Sequence, residues 1–122
     1  MYRFENLIAW QKAMEFSERI YQVTRTFPKE ELYGLTSQLR RASTSIPLNI
    51  AEGSGSKTTK EYIQFLYVAL RSQYETVTII KLCQRLGYID DGLGQQLETL
   101  IAEIGRLVQA LINSLEERIR SG

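Results

Sequence analysis

The residue types that carry most enzyme chemistry are nearly absent from this sequence. It contains no histidine, which removes the commonest general base and transition-metal ligand. Cys83 is the only cysteine, so the chain offers no thiolate zinc site, and we interpret this residue as a small buried apolar side chain. The carboxylates of the last helical segment lie at surface positions, where we interpret them as a solvated helix face. We therefore predict no catalytic residue, no metal and no cofactor.

A glycine- and serine-rich segment, GSGSKT at residues 53–58, superficially resembles a phosphate-binding loop. It lacks the glycine that such a loop places directly before the lysine, because Ser56 occupies that position. A weaker alternative remains, in which the helix start near Thr58 binds an anion with help from Lys57 and Lys60. We favour a capped linker.

One polar row is more informative, and it lies in a long helical segment that begins near Thr58. Its members recur at intervals of three and four: Lys60, Gln64, Tyr67, Arg71, Tyr74, Thr78, Lys81 and Arg85. At 1.5 Å per residue they form one face about 37 Å long, which we call the α3 stripe. It carries four basic side chains, two tyrosines and no acid. Basic groups contact phosphates and tyrosines stack on unpaired bases, but both types also suit a subunit interface.

A second polar row lies beside the apolar face of the preceding helical segment. It consists of Gln38, Arg41, Ser45, Asn49 and Glu52, which fall within about 80° of one another on a helix. We call it the α2 row. A polar row next to a core needs hydrogen-bond partners where it is buried. It therefore predicts either a ligand or nucleic-acid contact or, as we favour, a network between helices or subunits.

The elements that position these rows are four amphipathic helices. Apolar residues recur with helical spacing, and no strand-type alternation of any length occurs. The first helix is predicted to begin after Asn6 and to end near Phe27, because Pro28 follows. The second begins at Pro28 and continues, kinked at Pro47, to Gly53, since the apolar stripe keeps its phase across the proline.

The third and fourth helices are separated by a short turn. Thr58 is predicted to cap the third helix, and Gly87 to end it. The fourth follows the turn at residues 88–92. Short connections between long helices predict an all-α, antiparallel up-down-up-down four-helix bundle that forms a single domain over residues 1–122.

Charge is distributed unevenly along the chain. Residues 57–88 carry five cations and two acids, a net charge of +3, whereas residues 89–122 carry three arginines and six acids, a net charge of −3. The total of +1 conceals this basic side. No segment is long enough for a membrane span, and the N-terminus lacks a signal-type apolar core. With a single cysteine, these features predict a cytoplasmic protein with no membrane role.

The third helix also has an unusually wide apolar arc, extending from Phe65 to Cys83 with further apolar residues at its edge. One partner face within a monomeric bundle hardly requires so broad an arc. The arc therefore predicts burial on two sides and a homo-oligomer.

The segment at residues 38–53 reads QLRRASTSIPLNIAEG. Together with LIAWQKA at 7–13, YGLTSQ at 33–38, EYIQF at 61–65 and LGYI at 86–89, it resembles the 23S rRNA-intervening sequence proteins over nearly the whole chain. The resemblance implies a bacterial four-helix bundle, often a ring-like homopentamer, with no established catalytic residues. A related branch comprises the accessory proteins of diversity-generating retroelements, in which a basic pentamer binds nucleic acid and a reverse transcriptase.

Two functional hypotheses follow. The first is a non-enzymatic accessory protein that binds RNA or DNA, with Tyr67 and Tyr74 stacking on bases. Its phosphate contacts would come from Arg40, Arg41, Lys57, Lys60, Arg71, Lys81 and Arg85. The second is a structural or protein-interaction scaffold with no nucleic-acid role, whose polar rows serve subunit contacts. The near-zero net charge argues against strong general affinity for nucleic acid.

Overall fold

The computed structural model describes all of residues 1–122, and four α-helices make up most of it. These are α1 (Ile8–Thr24), α2 (Leu35–Ser54), α3 (Thr59–Arg85) and α4 (Asp91–Ser121). Short 3-10 helices at Arg3–Asn6 and Lys29–Glu31 precede α1 and α2, and there are no strands. The predicted all-α architecture is confirmed.

The helices pack in sequence order around one core, so that each contacts two neighbours. α2 lies between α1 and α3, and α4 lies between α3 and α1. Contacts between α1 and α4 show the antiparallel sense, because Lys12 pairs with Glu103 whereas Arg19 bonds to Gln96. The residue number rises on one helix as it falls on the other. The same relation between consecutive helices gives the predicted up-down-up-down order.

The second helix begins later than the sequence predicts. Pro28 is extended, with φ −56° and ψ 144°, and is followed by only one turn of 3-10 helix. The chain then breaks at Gly34 before α2 starts. The Leu35 N–H donates to Oε1 of Glu31 at 3.2 Å. The Glu31 carboxylate therefore accepts a hydrogen bond from a backbone amide that has no partner within the first turn of α2. The prediction that α2 begins at Pro28 is wrong because Glu31 and Gly34 end the first turn.

The helix then continues without interruption through Pro47, as predicted, and ends at Ser54. Pro47 itself is buried, among core residues such as Leu39, Ile46 and Ile50. The predicted kink angle at this proline stays a prediction.

The turns that bound α3 follow the predicted chemistry more closely. The Thr58 hydroxyl accepts the Glu61 N–H at 3.1 Å, as a capping residue does. Gly87 ends the helix with φ +82°, the left-handed conformation that favours glycine. Asp90 accepts the Leu93 N–H at 2.8 Å and starts α4 at Asp91, two residues before the predicted position.

The core is a single cluster of 23 buried apolar residues drawn from all four helices. Its largest fully buried members include Phe16, Ile20, Leu66, Ile80 and Ile104. The wide apolar arc of α3 faces α2 on one side and α4 on the other. Its members Leu70 and Val77 pack against the same core. Of its edge residues, Ile79 is buried whereas Leu86 is 49% exposed. Packing within one chain therefore buries much of this arc, and the homo-oligomer stays a prediction.

Candidate nucleic-acid interface

The α3 stripe lies opposite the core side of its helix, and all eight of its side chains are exposed. The two tyrosines differ in their surroundings. Tyr74 is 74% exposed and projects from the surface, whereas Tyr67 is 37% exposed and is partly covered by neighbours. The stripe offers a continuous outer face on which basic and aromatic side chains alternate.

The cations of the stripe differ in whether an acidic side chain pairs with them. The three ion pairs of the chain are Lys12–Glu103, Lys81–Glu98 and Arg120–Glu117. Lys60, Arg71 and Arg85 therefore have no acidic partner within the chain. Lys81 Nζ lies 2.8 Å from Oε1 of Glu98 on α4, so Lys81 has to exchange this carboxylate for any phosphate it contacts. Because exposed ion pairs contribute little, roughly 0–1 kcal/mol, such an exchange is inexpensive.

The other basic candidates lie away from the stripe. Arg40 packs against α1, where its Nε donates to the Thr24 hydroxyl at 2.8 Å. Its guanidinium lies 4.5 Å from the centre of the Tyr21 ring. These contacts give Arg40 a role in joining α1 to α2 and leave it poorly placed for phosphate. Lys57 is exposed in the linker before α3, and Arg41 is exposed on α2.

The α2 row divides into a network and a solvent-facing part. Asn49 Nδ2 donates to the Ser45 carbonyl at 2.7 Å and lies 3.0 Å from the Ser45 hydroxyl. The Ser72 hydroxyl on α3 lies 2.9 Å from the same Ser45 oxygen, which links the two helices. The central members of the row therefore form the favoured interhelical network.

The outer members of the row line a polar groove between α2 and α3. Gln38, Arg41 and Glu52 are exposed and border this groove of about 450 Å³, together with Glu75 from α3. Arg41 has no ion pair with either acid. Few apolar atoms line this groove, in contrast to the groove between α1 and α2.

An apolar groove runs between α1 and α2 on another side of the bundle. It has a volume of about 680 Å³, and its walls include Trp10, Met14, Pro47 and Leu48. Leu48 is 58% exposed, a large value for a leucine on a packed helix. Apolar surface of this kind favours contact with another protein. The sequence alone does not indicate this groove, because Leu48 and the α1 residues come together only in the packed pair of helices.

A third groove adjoins the N-terminal end of the stripe. The C-terminal part of α4 runs beside the first turns of α3, so that Ile119 and Arg120 lie across from Lys60 and Tyr67. The sequence analysis placed no α4 residue in a candidate site. The antiparallel register alone would have paired the start of α3 with the end of α4.

The structure describes the potential metal ligands and the one thiol of the chain. No group of three or more histidine, cysteine or acidic residues is arranged to hold a metal ion. Cys83 is fully buried, and burial, with a smaller effect of Glu31, raises the pKa of its thiol to about 11. A thiol with such a pKa stays protonated and is a poor nucleophile near neutral pH. No helix is both long and apolar enough to cross a membrane.

Comparisons with known proteins agree on the fold. Residues 5–110 match the family described as 23S rRNA-intervening sequence protein. A crystal structure of a protein of unknown function, from the S23 ribosomal protein family of Bacteroides thetaiotaomicron, is similar at 26% sequence identity and a TM-score of 0.81. The similarity covers 87% of this chain and 96% of that one. No curated protein matches this sequence.

Proposed function

This chain belongs to the 23S rRNA-intervening sequence protein family, and we propose that it is a non-enzymatic accessory protein that binds RNA or DNA. The contact surface in this proposal is the α3 stripe. A homo-oligomeric state, a cytoplasmic location and a reverse transcriptase as protein partner belong to the same proposal.

One observation carries the proposal most strongly. Three cations of the stripe, Lys60, Arg71 and Arg85, are exposed and have no acidic partner in the chain. Two exposed tyrosines lie between them on the same face. A row of unpaired cations is a ready site for a polyanion.

The same arrangement suggests how binding would proceed. The cations neutralise phosphates and release condensed counterions, which supplies most of the affinity and makes it depend on salt. Tyr67 and Tyr74 stack on unpaired bases and so favour single strands over duplexes. No base-reading specificity follows from these contacts alone.

Assembly into a homo-oligomer would explain how a nearly neutral chain could bind usefully. A single stripe supplies only a few phosphate contacts, whereas several copies on one strand act together through a high effective concentration. The homopentamer implied by the sequence resemblance would repeat the stripe five times. Size-exclusion chromatography with light scattering measures this copy number directly.

The test of the proposal is fluorescence anisotropy of labelled RNA and DNA titrated with the protein. The key variant carries Lys60→Gln, Arg71→Gln and Arg85→Gln. Its control removes the same charge from exposed cations outside the stripe, with Arg19→Gln, Arg25→Gln and Lys29→Gln. Loss of binding in the first variant alone supports the proposal. Equal binding by all three proteins, or none by the wild type at low salt, contradicts it.

A second candidate function is a protein-interaction scaffold, and the apolar groove between α1 and α2 favours it. In that case Leu48→Glu would dissociate the oligomer or release a protein partner. The nucleic-acid proposal does not require this groove. Nucleic-acid binding that persists in a dissociated Leu48→Glu variant, weakened only by the lost avidity, would show that the two surfaces act separately.

A further inference from the structure

The groove between the start of α3 and the end of α4 differs from the rest of the stripe, because it places a stripe tyrosine, Tyr67, beside apolar and polar side chains of a second helix. It has a volume of about 380 Å³, and Tyr67, Ile63 and Ile119 supply its apolar surface. Its polar groups are Lys60, Gln64, Glu116 and Arg120. Tyr74, two turns further along the stripe, takes no part in it.

We propose that this groove binds one unpaired nucleobase that carries an exocyclic amino group, and that it is the base-selective part of the interface. This inference rests on the proposed function, since it gives part of the same stripe a more specific task.

The apolar walls account for the binding of a planar base. Tyr67 is 37% exposed and Ile119 is 40% exposed, so each side chain is half covered and half open to a ligand. An aromatic ring beside an aliphatic side chain forms a slot for a flat base, which stacks on the ring. Tyr74 has no such opposing wall and can only stack from one side.

The polar groups account for selection among bases. Glu116 is partly buried in the groove and has no ion pair within the chain. An ionised carboxylate only accepts hydrogen bonds, so it favours a base edge that presents an amino group. Gln64 both donates and accepts, and it can bond to the neighbouring ring nitrogen or carbonyl. Thymine and uracil present two carbonyls and no amino group, so they should bind less well.

The remaining groups account for the backbone of the strand. Lys60 has no acidic partner and lies at the edge of the groove where the stripe begins. A phosphate beside the inserted base would contact Lys60 while the strand continues along Arg71 and Arg85. Arg120 is held by Glu117 and serves as a further cation at the opposite wall.

The experiment compares oligo-dC with oligo-dU of equal length by anisotropy, because cytosine carries the amino group and uracil a carbonyl at the same ring position, and neither has the methyl group of thymine. We expect wild-type protein to bind oligo-dC at least about fivefold more tightly. Glu116→Gln should abolish this preference, whereas Glu75→Gln, an equal loss of charge outside the groove, should keep it. Tyr67→Ala should weaken binding of oligo-dC roughly tenfold, more than Tyr74→Ala does, and Tyr67→Phe should restore it.

The outcomes separate this inference from the proposed function. If both oligomers bind equally and Glu116→Gln changes nothing, while the charge variants of the stripe still lose binding, the inference is wrong and the proposed function stands. If neither oligomer binds at low salt, both fail. Circular dichroism of each variant verifies that the helices remain folded.

Discussion

The Ser17 hydroxyl on α1 donates a hydrogen bond of 3.1 Å to the carbonyl oxygen of Ser43 on α2. In a regular helix this carbonyl would accept from the N–H four residues later. That residue is Pro47, which has no N–H. Both serines are buried, so water cannot easily donate a hydrogen bond to the Ser43 carbonyl instead. The hydrogen bond from the Ser17 hydroxyl thus replaces the backbone hydrogen bond that Pro47 cannot make.

This relationship predicts a coupled effect on stability. Ser17→Ala should lower the free energy of unfolding by about 1–2 kcal/mol, because it leaves a buried carbonyl without a side-chain donor. In a Pro47→Ala background the N–H at position 47 returns and can donate to the Ser43 carbonyl. There Ser17→Ala should lower the free energy of unfolding by at least about 0.5 kcal/mol less than it does in the wild type. Urea denaturation of the four proteins of this cycle measures the coupling. Strict additivity would contradict the account, and Ser114→Ala, at an exposed position, serves as the control.

Gly53 allows the close approach of α2 and α3 at the end of the segment at residues 38–53. A Cβ at this position would lie 2.9 Å from both Phe65 Cβ and Tyr62 Cδ1, nearer than such atoms pack. We expect Gly53→Ala to destabilise the protein by about 1–3 kcal/mol through overpacking. Gly55→Ala is the matched control, because there the nearest atom is 3.6 Å away and φ is −91°. Similar denaturation midpoints for the two variants would argue against this close contact.

The buried thiol of Cys83 predicts low reactivity in the folded protein. Burial is the main cause that raises its pKa from 9.0 to about 11, so little thiolate forms at mildly alkaline pH. Iodoacetamide should label Cys83 quickly only in denaturant, as mass spectrometry can show. Because the pKa is higher in the folded state, unfolding releases a proton between these values. The contribution of Cys83 to stability should thus be complete below about pH 9 and decline towards pH 11. Rapid labelling of the native protein would contradict burial.

In the proposed function, nucleic acid has to displace Glu98 from Lys81. Glu98→Gln should release Lys81 and remove a negative charge near the stripe, so nucleic acid should bind a few-fold more tightly. Glu103→Gln makes the same charge change beside Lys12, outside the stripe, and should have a smaller effect. Anisotropy titrations at one fixed salt concentration compare the two variants. Tighter binding by Glu103→Gln than by Glu98→Gln would show that Lys81 contributes nothing.

Much of the fold follows from patterns that are local in sequence. Helical periodicity, the Thr58 cap and Gly87 predict the ends of α3, and the phase of the apolar stripe predicts that α2 passes through Pro47. The start of α2 could not be predicted in this way. It depends on the Glu31 carboxylate, which bonds both to the Leu35 N–H and to the Tyr88 hydroxyl in the distant α3–α4 turn.

The candidate site was predictable only as far as it lies on one helix. The α3 stripe needed nothing beyond helical spacing to be found. Whether a cation is free depends on the neighbouring helix: α4 pairs Lys81 with Glu98, and α1 packs Tyr21 against Arg40. The groove formed by Tyr67 and Ile119 likewise depends on the register of α3 against α4. Such pairings are not visible in the sequence of either helix alone.

The salt dependence of binding tests the central claim most directly. On a single strand, each phosphate neutralised by a side chain adds about 0.7 unit to the slope of log K against log salt concentration. Removing Lys60, Arg71 and Arg85 should therefore lower the slope by up to about two units for each protomer in contact, whereas the variant at Arg19, Arg25 and Lys29 should keep the wild-type slope. An unchanged slope in the stripe variant would contradict the claim that the α3 stripe contacts the phosphates.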